Sequence, residues 1–325
     1  MKTNNERHGN NYSLELIVPI FNEMEVIPTL LARLSEVFSK DKCQAVGVSK
    51  VSFLFIDDGS KDKSAAMLAD AITGGFPGTL FRLSRNFGHQ NAVTCGIDAS
   101  QADMVAVIDA DLQDPPELVL DMVRLWREGN DVVFGQRRAR KENMFLKMCY
   151  WLAYRLINVM SETTTALDSG DFCLMDRAVV DQLKKLPEKL RYIRGLRSWV
   201  GFPQIGLIYD RPARAAGESK YTLLKLYKLA TDGIAAMSTR PLRLLQVVAF
   251  VFMAAAVGEF GLELFWGNET LTANKTFLLV LISAAVQMFA IYILGAYVGR
   301  TYIEVKNRPC YIVMQIIKGQ DNEGK

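Results

Sequence analysis

The stretch Met104-Val105-Ala106-Val107-Ile108-Asp109-Ala110-Asp111-Leu112-Gln113-Asp114-Pro115-Pro116-Glu117 decides how the chain is read. Its first five residues form an uncharged apolar run of the length expected for a strand buried on both faces. Two carboxylates follow at i and i+2. On an extended segment such a pair points to one side and can hold Mg²⁺ or Mn²⁺ through oxygen, with a diphosphate completing the shell. A D-x-D alone arises by chance in many chains, but its place directly after a buried strand favours the functional reading.

Upstream and downstream the same arrangement repeats. Apolar runs at Leu14 to Val18, Val51 to Ile56, Leu80 to Leu83 and Val132 to Phe134 read as further buried strands. Between them Val26, Leu30, Leu34 and Phe38 mark one amphipathic helix, and Leu118, Met122 and Leu125 mark another. Alternating strands and helices predict an α/β fold with a doubly wound, mostly parallel sheet, whose ligands collect beyond the carboxyl ends of the strands. Polar motifs fall there. The first strand runs into Pro19-Ile20-Phe21-Asn22-Glu23 and the second into Asp57-Asp58-Gly59-Ser60, where a carboxylate can meet a nucleobase or ribose and Gly59 permits close approach. D-D-G is also an ordinary turn, and only its company with the other two motifs favours a site. No G-x-G-x-x-G or P-loop occurs, so a bound nucleotide's phosphates need another source of neutralisation.

The apolar excess lies at the far end. Thr276 to Gly299 carries no formal charge over 24 residues, enough as a helix to cross a hydrocarbon core of about 30 Å. A second run from Leu242 to Gly258 precedes it and ends at Glu259 and Glu263, which share a helix face and belong near the far interface or against another helix. Arg240 and Arg243 precede the first run, and Arg300, Lys306 and Arg308 follow the second, whereas the hairpin Gly267 to Lys275 holds one Glu and one Lys. That distribution predicts two spans with both termini cytoplasmic. Met1 to Ser13 is polar and lacks the apolar core of a signal peptide. Lys147 to Met160 and Tyr221 to Met237 mix aromatic and basic residues, and suit either helices lying at the bilayer interface or helices packed on the sheet.

Composition bounds the alternatives. The 325 residues are 50% hydrophobic and 22% charged, with a mean hydropathy of +0.10, which excludes both a disordered chain and one made only of membrane helices. The net charge of +3 hides a division. Residues 1–136 hold 12 Lys and Arg against 19 Asp and Glu, while residues 137–243 hold 20 against 10. An acidic first part suits a metal-dependent site, and a basic segment ahead of membrane spans suits an anionic partner at the bilayer surface. Nucleic acid is not expected, because no nucleic-acid motif accompanies the basic residues. Five scattered cysteines without a CxxC pair fit a reducing compartment, and only two histidines, His8 and His89, argue against a histidine-rich metal site.

Taken in order, PIFNE at 19–23, DDGS at 57–60, RNFGHQNAV at 85–93, DADLQDPPE at 109–117, GDFCLMDR at 170–177, RAAGESKY at 214–221 and GRTYIEVKNRP at 299–309 resemble a family. It is the membrane-bound polyprenyl-phosphate glycosyltransferases of glycosyltransferase family 2, which include dolichol-phosphate mannose synthase, and the resemblance is greater to their bacterial bactoprenol (undecaprenyl-phosphate) glucosyltransferase branch. The resemblance implies a GT-A fold, a nucleotide-sugar donor, Mg²⁺ or Mn²⁺, and inverting transfer to a lipid phosphate at the cytoplasmic face of the bacterial inner membrane. It implies that Pro19, Glu23 and Asp58 hold the nucleoside, Asp109 and Asp111 the metal and diphosphate, and Gln113 the sugar region. Asp171 would sit by the reacting centre as a base or an orienting group, unless it merely caps a turn. Cys173 stands where the family often carries Arg, and His89 where Lys is frequent.

A lipid monophosphate is already anionic near neutral pH, so its attack needs positioning and charge neutralisation more than a strong base. Arginine forks suit that task. The candidates are Arg137 and Arg138 after the fifth strand, and Arg211, Arg214, Ser219 and Lys220 ahead of the interfacial segment, with Ser219 and Lys220 on a closing loop after Gly217. The expected organisation is a catalytic domain over 1–219, interfacial helices over 220–241, a two-helix hairpin over 242–303 and a cytoplasmic tail over 304–325. The resemblance implies transfer of glucose from UDP-glucose to undecaprenyl phosphate for O-antigen modification, with a flippase and a second transferase downstream, and with the acidic face of the first span it suggests a homo-oligomer. GDP-mannose or another UDP-sugar would serve the same chemistry. A processive polysaccharide synthase is disfavoured because Arg197-Ser198-Trp199 lacks the Q-x-x-R-W spacing, and a non-catalytic nucleotide-sugar binder because both carboxylates of the D-x-D are present.

Overall fold

Apolar runs too short for helices and flanked by turns become adjacent strands in the computed structural model, which describes residues 7, 9, 11–137, 169–210, 240–266 and 273–319. The chain divides into two units, one made of residues 1–146, 165–221 and 309–325, the other of 147–164 and 222–308.

In the first unit the elements run β1 (Tyr12–Ile20), α1 (Ile27–Val37), α2 (Lys40–Ala45), β2 (Val48–Asp57), α3 (Ser64–Thr73), β3 (Gly78–Leu83), α4 (His89–Ala99), β4 (Met104–Val107), α5 (Leu118–Arg127), β5 (Val132–Arg137), β6 (Ser169–Asp176), α6 (Arg177–Lys185), α7 (Ile193–Trp199) and β7 (Gln204–Tyr209). All form one eight-stranded sheet with β8 (Val313–Lys318), in the order β7-β5-β6-β4-β1-β2-β3-β8. The block β4-β1-β2-β3 is parallel, as expected, and β5 pairs in parallel with β7. Antiparallel β6 separates β4 from β5, and antiparallel β8 closes the β3 edge, so the sheet is mixed. GT-A-type α/β architecture is thus present.

Leu14, Leu16 and Val18 of β1, Phe53 and Phe55 of β2, Leu80 of β3 and Met104 and Ala106 of β4 lie in one buried core. Period-2 alternation sends them to one face, where Ile27, Leu30, Leu34 and Val37 of α1 and Val119, Met122, Val123 and Trp126 of α5 supply a helical stripe. Burying a side chain of this size contributes about 1.5 to 3 kcal/mol, which explains why the strands are recognisable as runs. Trp126 also donates its indole N–H to Asp176 Oδ2 at 2.9 Å, and Arg7 stacks on its ring and pairs with Asp131.

In the second unit, Arg240–Trp266 forms α8 and Ala273–Lys306 forms α9. Among the described residues one helix is long and apolar enough to cross a membrane, over Val280–Lys306 with mean hydropathy 1.9. Within α8 the described apolar run is Leu245–Ala255, shorter than a span requires. The expected pair of spans is therefore met by one candidate among the described residues. Lys275 lies inside α9, and the side chains of Glu259 and Glu263 lie outside the described residues. So do Lys147–Met160 and Tyr221–Met237, the two segments read as interfacial or sheet-packed helices.

Candidate active site

Parallel pairing brings the carboxyl ends of β1, β2 and β4 to one edge, with Ile20 opposite Asp57 and Ile17 opposite Val107. The three acidic turns emerge side by side. Backbone N–H groups of Asn22 and Glu23 donate to Ser60 Oγ and Ser64 Oγ at 3.0 and 2.9 Å, and Lys61 N–H donates to Asn22 Oδ1 at 2.8 Å. Those bonds stitch PIFNE to the DDGS turn and hold Asn22 in the left-handed region, at φ 57°. Gly59, at φ 70°, sits where a Cβ would lie 2.5 Å from the backbone carbon of Arg85, so only glycine lets the two loops meet.

Pro19 is buried in β1. Asp57 is fully buried and accepts from Ser60 N–H at 3.1 Å, closing its own turn. Asp58 is 3% exposed and accepts from Phe87 and Gly88 N–H at 2.7 and 2.9 Å. Burial pushes its carboxyl up, and the two amide bonds oppose that only in part. Asp58 thereby fixes the loop 85–88 from which α4 starts. What this edge offers to a ligand is half-buried Glu23 with exposed Phe21, Asn22 and Met24 around it.

Asp109 lies just past β4 and Asp111 in the turn that follows, so the pair does not share one strand. Leu112 bends the chain there at φ 54°, and Asp111 Oδ1 accepts from Gln113 N–H at 3.1 Å. Gln113 itself is buried, and Asp114 accepts the hydroxyl of Tyr209. The Asp109 side chain keeps 29% exposure. Burial first, and then the carboxylates of Asp114, Asp171 and Asp111, push it up to about 6 against the opposing pull of His89.

Asp171 reaches the same place from the other direction. Antiparallel β6 pairs Cys173 with Val107, the last residue of β4, so Asp171 runs on beside the stretch that holds Asp109. His89 bridges them, its Nε2 lying 3.8 Å from Asp109 Oδ1 and 3.6 Å from Asp171 Oδ2. Arg194 grips Asp171 as a fork, Nε to Oδ1 at 2.7 Å and Nη2 to Oδ2 at 2.8 Å. Burial would raise the Asp171 carboxyl, but the Arg194 bonds and charge, with His89, hold it well below the usual carboxylate range. Burial likewise opposes protonation of His89, yet Asp171 and Asp109 leave it raised.

The expected residues thus separate. Asp109, Asp111, Gln113 and Asp171 gather at one end of the sheet with Pro19, Glu23 and Asp58 alongside. Arg137 ends β5 with its side chain outside the described residues, and Arg138, Arg211, Arg214, Ser219 and Lys220 lie outside them altogether. Two participants escaped the sequence reading. Arg194 carries no spacing signal beyond its i, i+3 relation to Arg197 in a short helix, and His89 stood out only as a departure from a family pattern. No group of three or more metal-binding side chains occurs among the described residues. Asp109, whose carboxyl burial and neighbouring carboxylates push up, still suits, with Asp111 beside it in sequence, a divalent cation whose remaining oxygens come from a diphosphate.

Comparison with known proteins agrees with this architecture. Residues 15–184 match the model of glycosyl transferase family 2. An uncharacterized glycosyltransferase, YkcC of Bacillus subtilis (strain 168), is 39% identical over 305 residues, covering 92% of this chain and 93% of its own. The SfII prophage-derived bactoprenol glucosyl transferase of Shigella flexneri is 36% identical over 314 residues, covering 94% and 99%. Among solved structures, glucosyl-3-phosphoglycerate synthase from Mycobacterium tuberculosis with Mg²⁺ and uridine diphosphate matches with a TM-score of 0.48 and 18% identity, covering 72% of this chain and 82% of that one. A likeness that distant says nothing of ligands.

Proposed function

The chain belongs to glycosyl transferase family 2, and from that premise we propose that it transfers glucose from UDP-glucose to undecaprenyl phosphate. The observation that carries the reading is the contact series Asp109, His89, Asp171, Arg194, which lines acidic and cationic groups along the end of the sheet. Full-length similarity to a bactoprenol glucosyl transferase supports the acceptor and the sugar.

In this reading the nucleoside lies along the PIFNE and DDGS turns, between Pro19, Glu23 and Asp58, and Gln113 lies by the sugar. Asp109 and Asp111 would hold Mg²⁺ or Mn²⁺ with the diphosphate, which supplies charge neutralisation for the leaving group. An oxygen of the lipid phosphate attacks the anomeric carbon from the opposite side. The new C–O bond forms as the bond to the diphosphate breaks, and UDP leaves with that electron pair. A phosphate dianion has no proton to give up in this step. Asp171, held ionised inside the Arg194 fork, is suited to orient a reactant and poorly suited to act as a base. Arg137, Arg138, Arg211, Arg214, Ser219 and Lys220 remain the proposed basic approach for the lipid headgroup.

Chain tracing bears on topology. The chain leaves the sheet-bearing unit before residue 222 and rejoins it from Pro309, where β8 pairs with β3. An excursion that starts and ends on one side of a bilayer crosses it an even number of times. If α9 spans, α8 is the natural second span, since its 27 residues extend roughly 40 Å. Both termini and the catalytic unit would then face the cytoplasm of a bacterial inner membrane. The lipid-linked glucose would serve O-antigen modification through a flippase and a second transferase, and the assembly would be a homo-oligomer.

Radiolabelled transfer from UDP-glucose, UDP-galactose, UDP-N-acetylglucosamine and GDP-mannose to undecaprenyl phosphate in detergent, with Mg²⁺ or Mn²⁺ and a chelator control, tests the proposal. Metal-dependent label in lipid from UDP-glucose is the expected result. Label from another donor alone replaces the sugar, and folded enzyme that labels no lipid removes the acceptor.

A further inference from the structure

Arg194 is a cation at the reacting centre that a role in neutralising Asp171 does not exhaust. A guanidinium has five N–H donors, and the fork to Asp171 uses Nε and Nη2. Nη1 donates to no described residue, and the side chain is one-third exposed. Its position is fixed from two sides. Asp171 anchors the head, while the N–H of the preceding Ile193 donates to Gln90 Oε1 at 3.0 Å, tying α7 to the α4 residue beside His89. One helical turn on, Arg197 is 1% exposed with its guanidinium 5.4 Å from the centre of the Phe134 ring. Its nitrogens meet no oxygen acceptor among the described residues, and the buried Cys173 thiol is the group beside them. A buried cation so placed adds positive potential behind the Arg194 pair, where a charge is felt more strongly than in water.

The order of contacts says which phosphate this cation meets. Asp109 marks the diphosphate side under the proposed reaction, on which this inference rests. His89 meets both Asp109 and Asp171, while Arg194 pairs with Asp171 and not with Asp109. Inversion requires the incoming oxygen and the departing one to lie on opposite sides of the anomeric carbon. We infer that Arg194 binds a phosphate oxygen of the acceptor through its Nη1 edge, with Asp171 as the positioning residue that holds the guanidinium there. The shared chemistry is a phosphate oxygen, and the donor's diphosphate is the competing source.

The test uses the full-length enzyme in detergent with Arg194→Ala, Arg194→Lys and Asp171→Asn. Three quantities are read: UDP affinity by calorimetry with Mg²⁺, the acceptor concentration dependence of transfer, and the thermal midpoint. Arg194→Ala is expected to raise the acceptor KM at least tenfold while the UDP Kd stays within twofold. Arg194→Lys, which keeps charge but loses the fork, should fall between, and it decides the matter if Arg194→Ala does not fold. Asp171→Asn should also raise the acceptor KM, because the guanidinium is no longer held. An equal loss of UDP affinity assigns Arg194 to the donor and overturns the inference. A lowered kcat with unchanged acceptor KM reduces Arg194 to a support for Asp171 and overturns it too. Wild-type enzyme that transfers nothing to undecaprenyl phosphate sinks the acceptor reading itself, and this inference with it.

Discussion

The acidic turns that follow β2 and β4 occupy equivalent places in the sheet and use their carboxylates in opposite ways. Asp57 and Asp58 are almost wholly buried; Asp57 Oδ1 accepts from Ser60 N–H, with Arg82 Nε 3.5 Å from its Oδ2, and both oxygens of Asp58 accept from Phe87 and Gly88 N–H. Asp109 keeps more than a quarter of its side chain exposed, and its nearest cation, His89, stands off at 3.8 Å. Bonded carboxylates shape a loop. A crowded carboxylate that stays part exposed suits a cation, and Asp109 shows the cost of that arrangement in a pKa of about 6, set by burial and by the carboxylates around it. Strand ends therefore place both turns, but backbone amides engage both oxygens of Asp58 and leave part of Asp109 open.

Asp109→Asn would break the comparison most forcefully. It keeps the shape of the side chain and removes the negative charge, so the fold should hold, and relief of like-charge repulsion should leave the thermal midpoint unchanged or higher. Transfer should fall by roughly 10²- to 10³-fold, the scale seen when one group that stabilises developing charge is lost. A variant with near wild-type kcat would place the metal and diphosphate elsewhere.

Substitution of Asp58 comes next and acts on stability. Alanine leaves the Phe87 and Gly88 amides without their acceptor, at about 2 to 3 kcal/mol in all. Asparagine should cost about 1 kcal/mol, because it retains one acceptor oxygen and removes a buried charge. The raised pKa of Asp58 predicts that order, since burial already outweighs the two bonds. Chemical denaturation checks it. Equal costs for the two variants would mean that loop 85–88 is held by something other than this carboxylate.

How far the sequence carries this contrast depends on the kind of signal. Strand positions were legible because β4 and the carboxyl-terminal halves of β1 and β2 are buried on both faces, and burial leaves uninterrupted apolar runs such as Met104–Ile108. The positions of the acidic motifs followed from those strands. Their conformation did not, since the turn at Leu112 depends on a local φ that no pattern announces. Asp171 could be named from its motif, but only the antiparallel pairing of β6 with β4 brings it beside the end of that strand, where Asp109 follows. Arg194 was hidden in a basic segment where one arginine looks like another, and its partner lies 23 residues away. Likewise β8 follows two long apolar helices, and nothing local to residues 313–318 says that they return to the sheet.

That return supplies the smallest effect, and it calibrates the other two. Tyr311 donates its hydroxyl to Asp98 Oδ2 at 2.9 Å at an exposed site two residues ahead of β8. Unlike Asp58, Asp98 is open to water, so losing the bond exposes no buried donor. Tyr311→Phe should therefore cost about 0.5 to 1 kcal/mol, the net worth of one hydrogen bond exchanged with solvent. The β8–β3 ladder and the Ile312 carbonyl accepting from Ser84 N–H would still hold the strand. Amide exchange in β8 checks the point directly: opening of residues 313–318 should grow by less than tenfold, with no change in loop 85–88. A loss as large as that from Asp58→Ala would mean that the single hydroxyl anchors the edge of the sheet, and that saturation by backbone amides is not what distinguishes Asp58.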